Sequence, residues 1–305
     1  MAFDSFRDFV NKLETEGELR RISAPVATEL EITEIAEREM KKPGGGQALL
    51  FEQPTVNGKL SPIPLAINTY GSEKRMAMVL GRDSVEDAAA ELNKLVKAKP
   101  PSTLGETFKL LGTALDLRHA KPKKVKSGPC KEVVHLFDES REASVESPST
   151  FNPQLSTLLN FPIQQCWPQD AGRFLTLPCV VTHDPDTGDR NLGLYRMQVF
   201  DGQTTALHWQ LQKVAARHGR RYYERGERMP VSVFLGGDPV YAFCASAPLP
   251  DGLDELLLAG WLRKKSVPLV KCETNDLEVP ADADIVLEGY VDPTEPLRDE
   301  GPFGD

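Results

Sequence analysis

The chain has 305 residues, 40% of them hydrophobic and 27% charged, a globular composition that excludes collagen, disorder and a small disulfide scaffold, and a length that favours two domains over one. No run approaches the roughly eighteen apolar residues of a membrane span, and the start MAFDSFRDFVNKLE is charged from its fourth residue, unlike a signal peptide, which predicts a cytoplasmic protein. Thirty-six basic against 45 acidic side chains give a net charge of −9, which argues against nucleic acid as a general partner.

Phe3, Phe6, Phe9, Val10 and Leu13 recur at helical spacing up to Gly17 and predict an opening amphipathic helix. In PVATELEITEIAEREMKK, Thr28 and Glu31 have the form of a capping box ahead of an apolar stripe, Leu30, Ile32, Ile35, Ala36 and Met40, predicting a second helix. ALLFEQP and IPLAINTYG read as strands, and residues 84–98 as a helix capped by Ser84. From Pro100 to about Asn160, the PP pair, the basic run KPKKVK and a polar stretch predict linker and insertion, with the lysines as solvated surface.

After Phe161 the pattern becomes strand-like. FLTLPCVVTHD, NLGLYRMQVFD and ALHWQLQ, separated by the turns DPDTGDR and DGQTT, predict a three-stranded meander. MPVSVFLGGDP and YAFCASAPLP are expected to continue it, followed by a helix ELLLAGWLRKK capped by Asp254 and two strands, VPLVKCE and ADIVLEGYV. Strands dominate with one inserted helix, so the expected class is α+β, with a barrel or sandwich in the second half.

Five cysteines without CxxC spacing read as reduced thiols. GxGxxG, Walker, GxSxG and HExxH motifs are absent. What remains is polar residues in the expected strands. A period of two places Leu192, Leu194, Arg196 and Gln198 on one face, and His208, Gln210 and Gln212 on one face of the next strand, with Tyr195, Met197, Trp209 and Leu211 opposite. An arginine buried in such a strand needs a counter-charge; on an exposed face it is an ordinary surface residue. Residues 276–305 hold ten acids and one base, Arg298, and so carry the whole net charge of the chain. Such a concentration fits either a surface offset by a further domain or subunit, or a solvated sheet edge. EGPFGD ends the sequence in turn chemistry around an aromatic, as an interrupted chain would, with Glu300 and Asp305 otherwise reading as tail carboxylates.

GELRRISAPV with LEITEIAE, NTYGSEKRMAMVLG, CWPQDAGRFLTLPCVVTHDP, RNLGLYRMQVFD, HWQ, and NDLEVPADADIVLEGYVDP followed by EGPFGD, taken together and in this order, resemble the UbiD family of decarboxylases, which use prenylated FMN. The resemblance implies an N-terminal α/β domain, residues 1–120, then a prenylated-FMN-binding split β-barrel like that of flavin reductases, residues 121–305, with the family's third domain absent and residues 138–160 an insertion. It implies non-oxidative, reversible decarboxylation of an aromatic or α,β-unsaturated acid, in ubiquinone or menaquinone synthesis by likeness to the best-known members.

By position, the resemblance makes Asn191 and Glu255 ligands of Mn2+ or Mg2+, with K+ a further candidate ion. It makes Leu194, Tyr195, Arg196, His208, Trp209, Gln210, Lys213 and Val214 the lining of the flavin site, and Arg196, Glu300 and Asp305 the catalytic set, with Asp305 favoured as proton donor. Gln212 stands where the family commonly has a histidine, which bears on metal affinity. The implied partners are the acid substrate, a flavin prenyltransferase that supplies the cofactor, further copies of the chain if the third domain is present, and a membrane surface only if the substrate is polyprenylated. Two other readings stand beside the enzyme: a non-catalytic flavin-binding subunit, and a truncated product that retains only the fold.

Overall fold

The computed structural model describes residues 2–96, 118–136, 157–249 and 253–304. Most of the segment expected as linker and insertion, and Asp305, lie outside them. In the first third, α1 (Phe6–Thr15) starts at Ser5, whose hydroxyl accepts the Asp8 N–H, and buries Phe9, Val10 and Leu13. Strands β1 (Leu19–Ile22) and β3 (Ala48–Phe51) pair in parallel, and β6 (Leu65–Ile67) adds antiparallel to β3. A second small sheet holds β2 (Val26–Ala27), β4 (Pro54–Val56) and β5 (Lys59–Leu60).

Helix α2 (Glu31–Met40) begins two residues later than the expected capping box: its N-cap is Leu30 at φ 67°, without a side-chain cap. Thr28 is fully buried and its hydroxyl donates to the Thr55 carbonyl, while Glu31 accepts the Ala27 N–H, so strand pairing has taken the group that would have capped the helix. Helix α3 (Glu73–Leu80), capped by Ser72, was not anticipated, whereas α4 (Val85–Val96) follows Ser84 as expected, with the Ser84 hydroxyl accepting the Asp87 N–H at 3.0 Å.

Part of the basic run is a strand. β7 (Lys123–Lys124) pairs in parallel with β14 (Pro268–Lys271), which also pairs with β15 (Glu278–Pro280). Its lysines remain exposed, and Lys124 Nζ lies 2.6 Å from Glu278. In the second half, FLTLPCVVTHD divides into β8 (Arg173–Leu175) and β9 (Cys179–His183), and NLGLYRMQVFD into β10 (Arg190–Leu194) and β11 (Met197–Val199). The halves join different antiparallel sheets. One has the order β10-β9-β13-β16, with β13 (Met229–Leu235) and β16 (Ile285–Val291); the other is β12-β11-β8, with β12 (Thr205–Leu207). Among the described residues the fold is mixed α+β with several small sheets, none of them closed.

Two further corrections concern helices. The chain leaves β12 at Leu207, so HWQLQ is not a strand; it turns, with the Lys213 N–H donating to the Gln210 carbonyl, into α5 (Val214–Arg225), which the sequence reading missed. YAFCASAPLP, expected as a strand, contributes α6 (Val240–Ser246): Asp238 accepts the Val240 N–H, and Val240, Tyr241, Cys244 and Ala245 are buried at helical spacing. Helix α7 (Glu255–Arg263) starts where expected, with the Asp254 carboxylate accepting the Leu256 N–H at 2.8 Å. Among the described residues no helix is long and apolar enough to cross a membrane.

β9 and β13 carry the core on both faces, which accounts for their unbroken apolar runs. Cys179, Val181 and Phe234 pack with Leu192, Tyr241, Leu256 and Trp261, in a cluster that also takes Phe9 and Leu13 from α1. Val180, Val231 and Val233 face the other way, onto Tyr195, Met197 and Ala215. Five of the ten acids of the C-terminal segment form ion pairs among the described residues. Asp276 pairs with Lys271, Glu278 with Arg190, Asp282 with Arg263, Asp292 with Arg228 and Glu300 with Arg196.

Candidate active site

Between β10 and β11 the chain leaves one sheet and enters the other, and the break falls at Tyr195 and Arg196. The two-residue parity expected across this segment therefore lapses at Leu194. Gly193 permits the turn: a Cβ there would lie 2.4 Å from Cε2 of the Tyr195 ring, which folds back over the glycine. The ring is buried, and its hydroxyl takes two hydrogen bonds of 3.2 Å, from Asn191 Nδ2 and from the Ala215 N–H in the first turn of α5. Burial pushes the phenol up, and the charge of Glu255 pushes it the same way.

Glu255, the first residue of α7, reaches β10 one residue from Asn191: its Oε2 accepts the Leu192 N–H at 2.9 Å. Burial pushes this carboxyl up to about 7, against the pull of the Leu192 N–H and Arg190. Arg190 spans from Asp254 to Glu278, each at 2.9 Å, and ties the start of α7 to β10. Asn191 is itself buried. The two expected ligands are thus brought to one stretch of β10, while Gln212 is exposed and hydrogen-bonds Gln210 at 3.2 Å. Among the described residues no group of three His, Cys, Asp or Glu side chains is placed to hold an ion.

Arg196 does not face bulk water. Its Nε and Nη2 donate to the two oxygens of Glu300 at 2.8 and 2.6 Å, a bidentate pair in which the carboxylate is 8% and the guanidinium 25% exposed. The guanidinium stacks against Phe174 and Phe303, with ring centroids at 5.4 and 4.8 Å. His208 Nδ1 lies 2.8 Å from Glu300 Oε2. Glu300 is held below the usual carboxylate range although burial opposes it, because Arg196 and His208 favour its charged form.

Glu300 is therefore no fraying tail. Gln198 accepts the Gly301 N–H at 2.8 Å, Asp170 accepts the Gly304 N–H at 2.7 Å, and the Pro302 carbonyl accepts the Ala171 N–H at 2.8 Å. Gln198, Asp170, Phe174 and Phe303 were not among the expected site residues. The turn sequence EGPFGD carried a signal for a built loop, but its partners 100 and more residues away carried none.

The remaining expected residues surround the entry to α5. Leu194 is half-buried at the end of β10; His208, Gln210 and Lys213 are exposed; Val214 opens α5 after Lys213, which caps it without a side-chain hydrogen bond. Trp209 lies on Gly219, where a Cβ would be 2.5 Å from Cζ3, and its buried Nε1 has no partner among the described residues. Beneath, the buried Thr182 hydroxyl meets His218 Nδ1 at 3.0 Å. Burial pushes His218 down to about 4, the Asp184 charge opposing, so the imidazole is neutral near pH 7.

Against known families, residues 123–305 match the 3-octaprenyl-4-hydroxybenzoate carboxy-lyase Rift-related domain, UbiD, and residues 10–95 match the N-terminal domain of the same enzymes. An uncharacterised protein of Archaeoglobus fulgidus is 42% identical over 306 residues, covering all of this chain and 58% of its own length. An uncharacterised protein of Aquifex aeolicus is 44% identical over 303 residues, covering 99% of the chain and 58% of its own. Among solved structures, Sedimentibacter hydroxybenzoicus vanillic acid decarboxylase in its closed form superposes with a TM-score of 0.76 at 25% identity, over all of this chain and 58% of that one. An evolved dimeric form of the UbiD-class enzyme HmfF from Pelotomaculum thermopropionicum, in complex with prFMN, gives 0.77 at 25% identity, over 99% of this chain and 60% of that one. The chain thus spans a little over half the length of these relatives.

Proposed function

The chain belongs to the UbiD carboxy-lyase family, and from that premise we propose that it takes part in the non-oxidative, reversible decarboxylation of an aromatic or α,β-unsaturated carboxylic acid with prenylated FMN and a divalent ion, Mn2+ or Mg2+, in quinone synthesis. The observation that carries the reading is the Arg196–Glu300 pair, a cation clamped by a buried carboxylate and packed against two touching aromatic rings. In this reading residues 1–120 are the N-terminal domain and residues 121–305 the cofactor-binding one, whose two antiparallel sheets, linked through the break at Tyr195 and Arg196, are the two parts of a split barrel.

The residues present fit both groups. A half-buried carboxylate with one backbone hydrogen bond is costly to ionise, and a hard cation shared with the Asn191 amide oxygen would offset that cost. The orphaned Trp209 Nε1, and the amino end of α5, which has no side-chain cap although its Ala215 N–H is taken by Tyr195, would suit the acceptors that a flavin ring and its phosphate provide. Leu194, Tyr195, Arg196, His208, Gln210, Lys213 and Val214 would complete that lining. When bound, prenylated FMN supplies an electron sink for the pair left as carbon dioxide departs.

The work of the chain's own residues is separate. Arg196 can pair with the substrate carboxylate through the planar donors such recognition needs. Phe174 and Phe303, in edge contact with each other, pack together against it and limit its access to water. Glu300 orients the guanidinium and can hold a proton at Oε2; Asp305, the other carboxylate of the proposed set, lies outside the described residues.

The chain should be co-expressed with a flavin prenyltransferase and purified aerobically and anaerobically, and its flavin absorbance, bound Mn2+ and carbon dioxide release from hydroxybenzoates and cinnamates measured. A coloured protein that releases carbon dioxide is the expected result. A colourless, metal-free protein would refute the cofactor reading. Flavin without turnover, restored by adding the remaining part of a longer relative, would make the chain a binding subunit instead.

A further inference from the structure

We propose that His208 is a positioning residue that stores a proton beside Glu300 and passes it to the Glu300 carboxylate when a substrate carboxylate takes up Arg196, an inference that rests on the decarboxylase reading above. Three polar groups meet at one point. Glu300 Oε2 lies 2.6 Å from Arg196 Nη2 and 2.8 Å from His208 Nδ1, and Nη2 and Nδ1 are 3.4 Å apart. A guanidinium only donates and an ionised carboxylate only accepts. The bidentate Arg196 pair keeps Glu300 ionised, so the 2.8 Å contact holds its proton on Nδ1, donated into the carboxylate. A neutral ring in that tautomer leaves Nε2, on its far edge, as an acceptor.

Exposure sets the direction of proton flow. The side chains of Glu300, Arg196 and His208 are 8%, 25% and 43% exposed, so the imidazole stands between solvent and the carboxylate. Among the described residues, the charged or titratable groups that contact Glu300 are Arg196, from the break between β10 and β11, and His208, from the segment after β12. From the loop that carries Glu300, Phe303 packs on Arg196, and Gln198 is occupied by the Gly301 N–H; neither titrates.

The step balances as a proton transfer without redox change. A substrate carboxylate on Arg196 divides the guanidinium between two anions and brings negative charge towards Glu300, which raises the proton affinity of Glu300. The N–H bond at Nδ1 breaks as an O–H bond forms at Oε2, and Nε2 takes a proton from a solvent acid. The ring ends neutral in its other tautomer, and Glu300 holds a proton inside the site for a product carbon.

The test has two arms. In the full chain without cofactor, 15N imidazole spectra, with the His208 signal assigned by its loss in His208→Gln, should show the Nδ1-protonated tautomer near pH 7, reverting to the Nε2-protonated form in Glu300→Ala. An Nε2-protonated ring in the unsubstituted chain would overturn the proposal. In the cofactor-loaded protein, His208→Gln, which can still hydrogen-bond Glu300, should lower kcat about 10- to 100-fold with KM unchanged, enlarge the solvent deuterium isotope effect, and regain rate on addition of imidazole. Unchanged kcat and isotope effect would equally overturn it. If the unsubstituted loaded chain releases no carbon dioxide, it is the decarboxylase activity of this chain that fails, and the tautomer decides the proton-storage claim by itself.

Discussion

Replacing Glu255 with glutamine should make the metal-free protein more stable at pH 8 while removing its affinity for a divalent ion. The carboxyl titrates near 4.5 when solvated and about 7 in the fold, with burial the main cause. The native state therefore binds this proton more tightly than the unfolded chain, and its contribution to stability declines as pH rises from about 4.5 to about 7 and is flat above. At about 1.4 kcal/mol per pH unit, the ionised side chain costs the fold about 3 kcal/mol at pH 8. Glutamine keeps an acceptor for the Leu192 N–H and removes the charge. Urea unfolding at pH 5 and pH 8 reads the effect. With a slope of about 3 kcal/mol per molar, the Glu255→Gln midpoint should exceed the parent's by about 1 M at pH 8, and by much less at pH 5. Comparing variant with parent at each pH cancels the other titrating groups. Mn2+ should raise the parent midpoint, more at pH 8 than at pH 6 because the ion competes with a proton, and leave the variant unmoved. Equal midpoints for parent and variant at pH 8 would refute the assignment of the strain to Glu255.

Three further substitutions probe the surrounding geometry. Arg196→Lys loses the two-pronged contact with Glu300 and the stacking on Phe174 and Phe303; carbon dioxide release by the loaded protein should fall about 100-fold or more, with the circular dichroism spectrum unchanged. Tyr195→Phe strands the Ala215 N–H and the Asn191 amide; unfolding free energy should drop by about 1–3 kcal/mol and flavin retention on a desalting column should fall with it. Gly304→Ala would set a Cβ 2.5 Å from Trp167 Cδ1; the loop should lift, with a red shift of tryptophan emission and a loss of about 1–3 kcal/mol, whereas unchanged emission would mean the loop is not seated on Trp167.

Local signals in the sequence fared better than long-range ones. Ser84 and Asp254 announce α4 and α7 because a short polar side chain before an apolar run has one common use. Thr28 offers the same signal and misleads, since its hydroxyl is taken by the Thr55 carbonyl across two strands that periodicity does not pair. YAFCASAPLP is apolar enough to satisfy either period, and the deciding group, Asp238, lies outside the run. The bases that pair with half of the acidic C-terminal segment, among them Arg190, Arg196, Arg228 and Arg263, could not be assigned from sequence because they are scattered along the chain.

The site residues drew on the same contrast. Asn191, Arg196 and Glu300 were named through the family resemblance, while the face arithmetic that made Arg196 and Gln198 neighbours on one strand rested on a strand that does not exist. The break at Tyr195 is what the site needs. An unbroken strand would keep Asn191 and Arg196 in one sheet, at the fixed spacing of its pleat. Ending β10 at Leu194 lets the Tyr195 ring fold onto Gly193 and join Asn191 to the start of α5, while Arg196 is delivered to the second sheet, beside Phe174 and within reach of Glu300. The side expected to hold an ion and the side expected to hold a carboxylate thereby lie on either side of the break, and the buried Tyr195 phenol braces the first of them through Asn191 and the entry to α5.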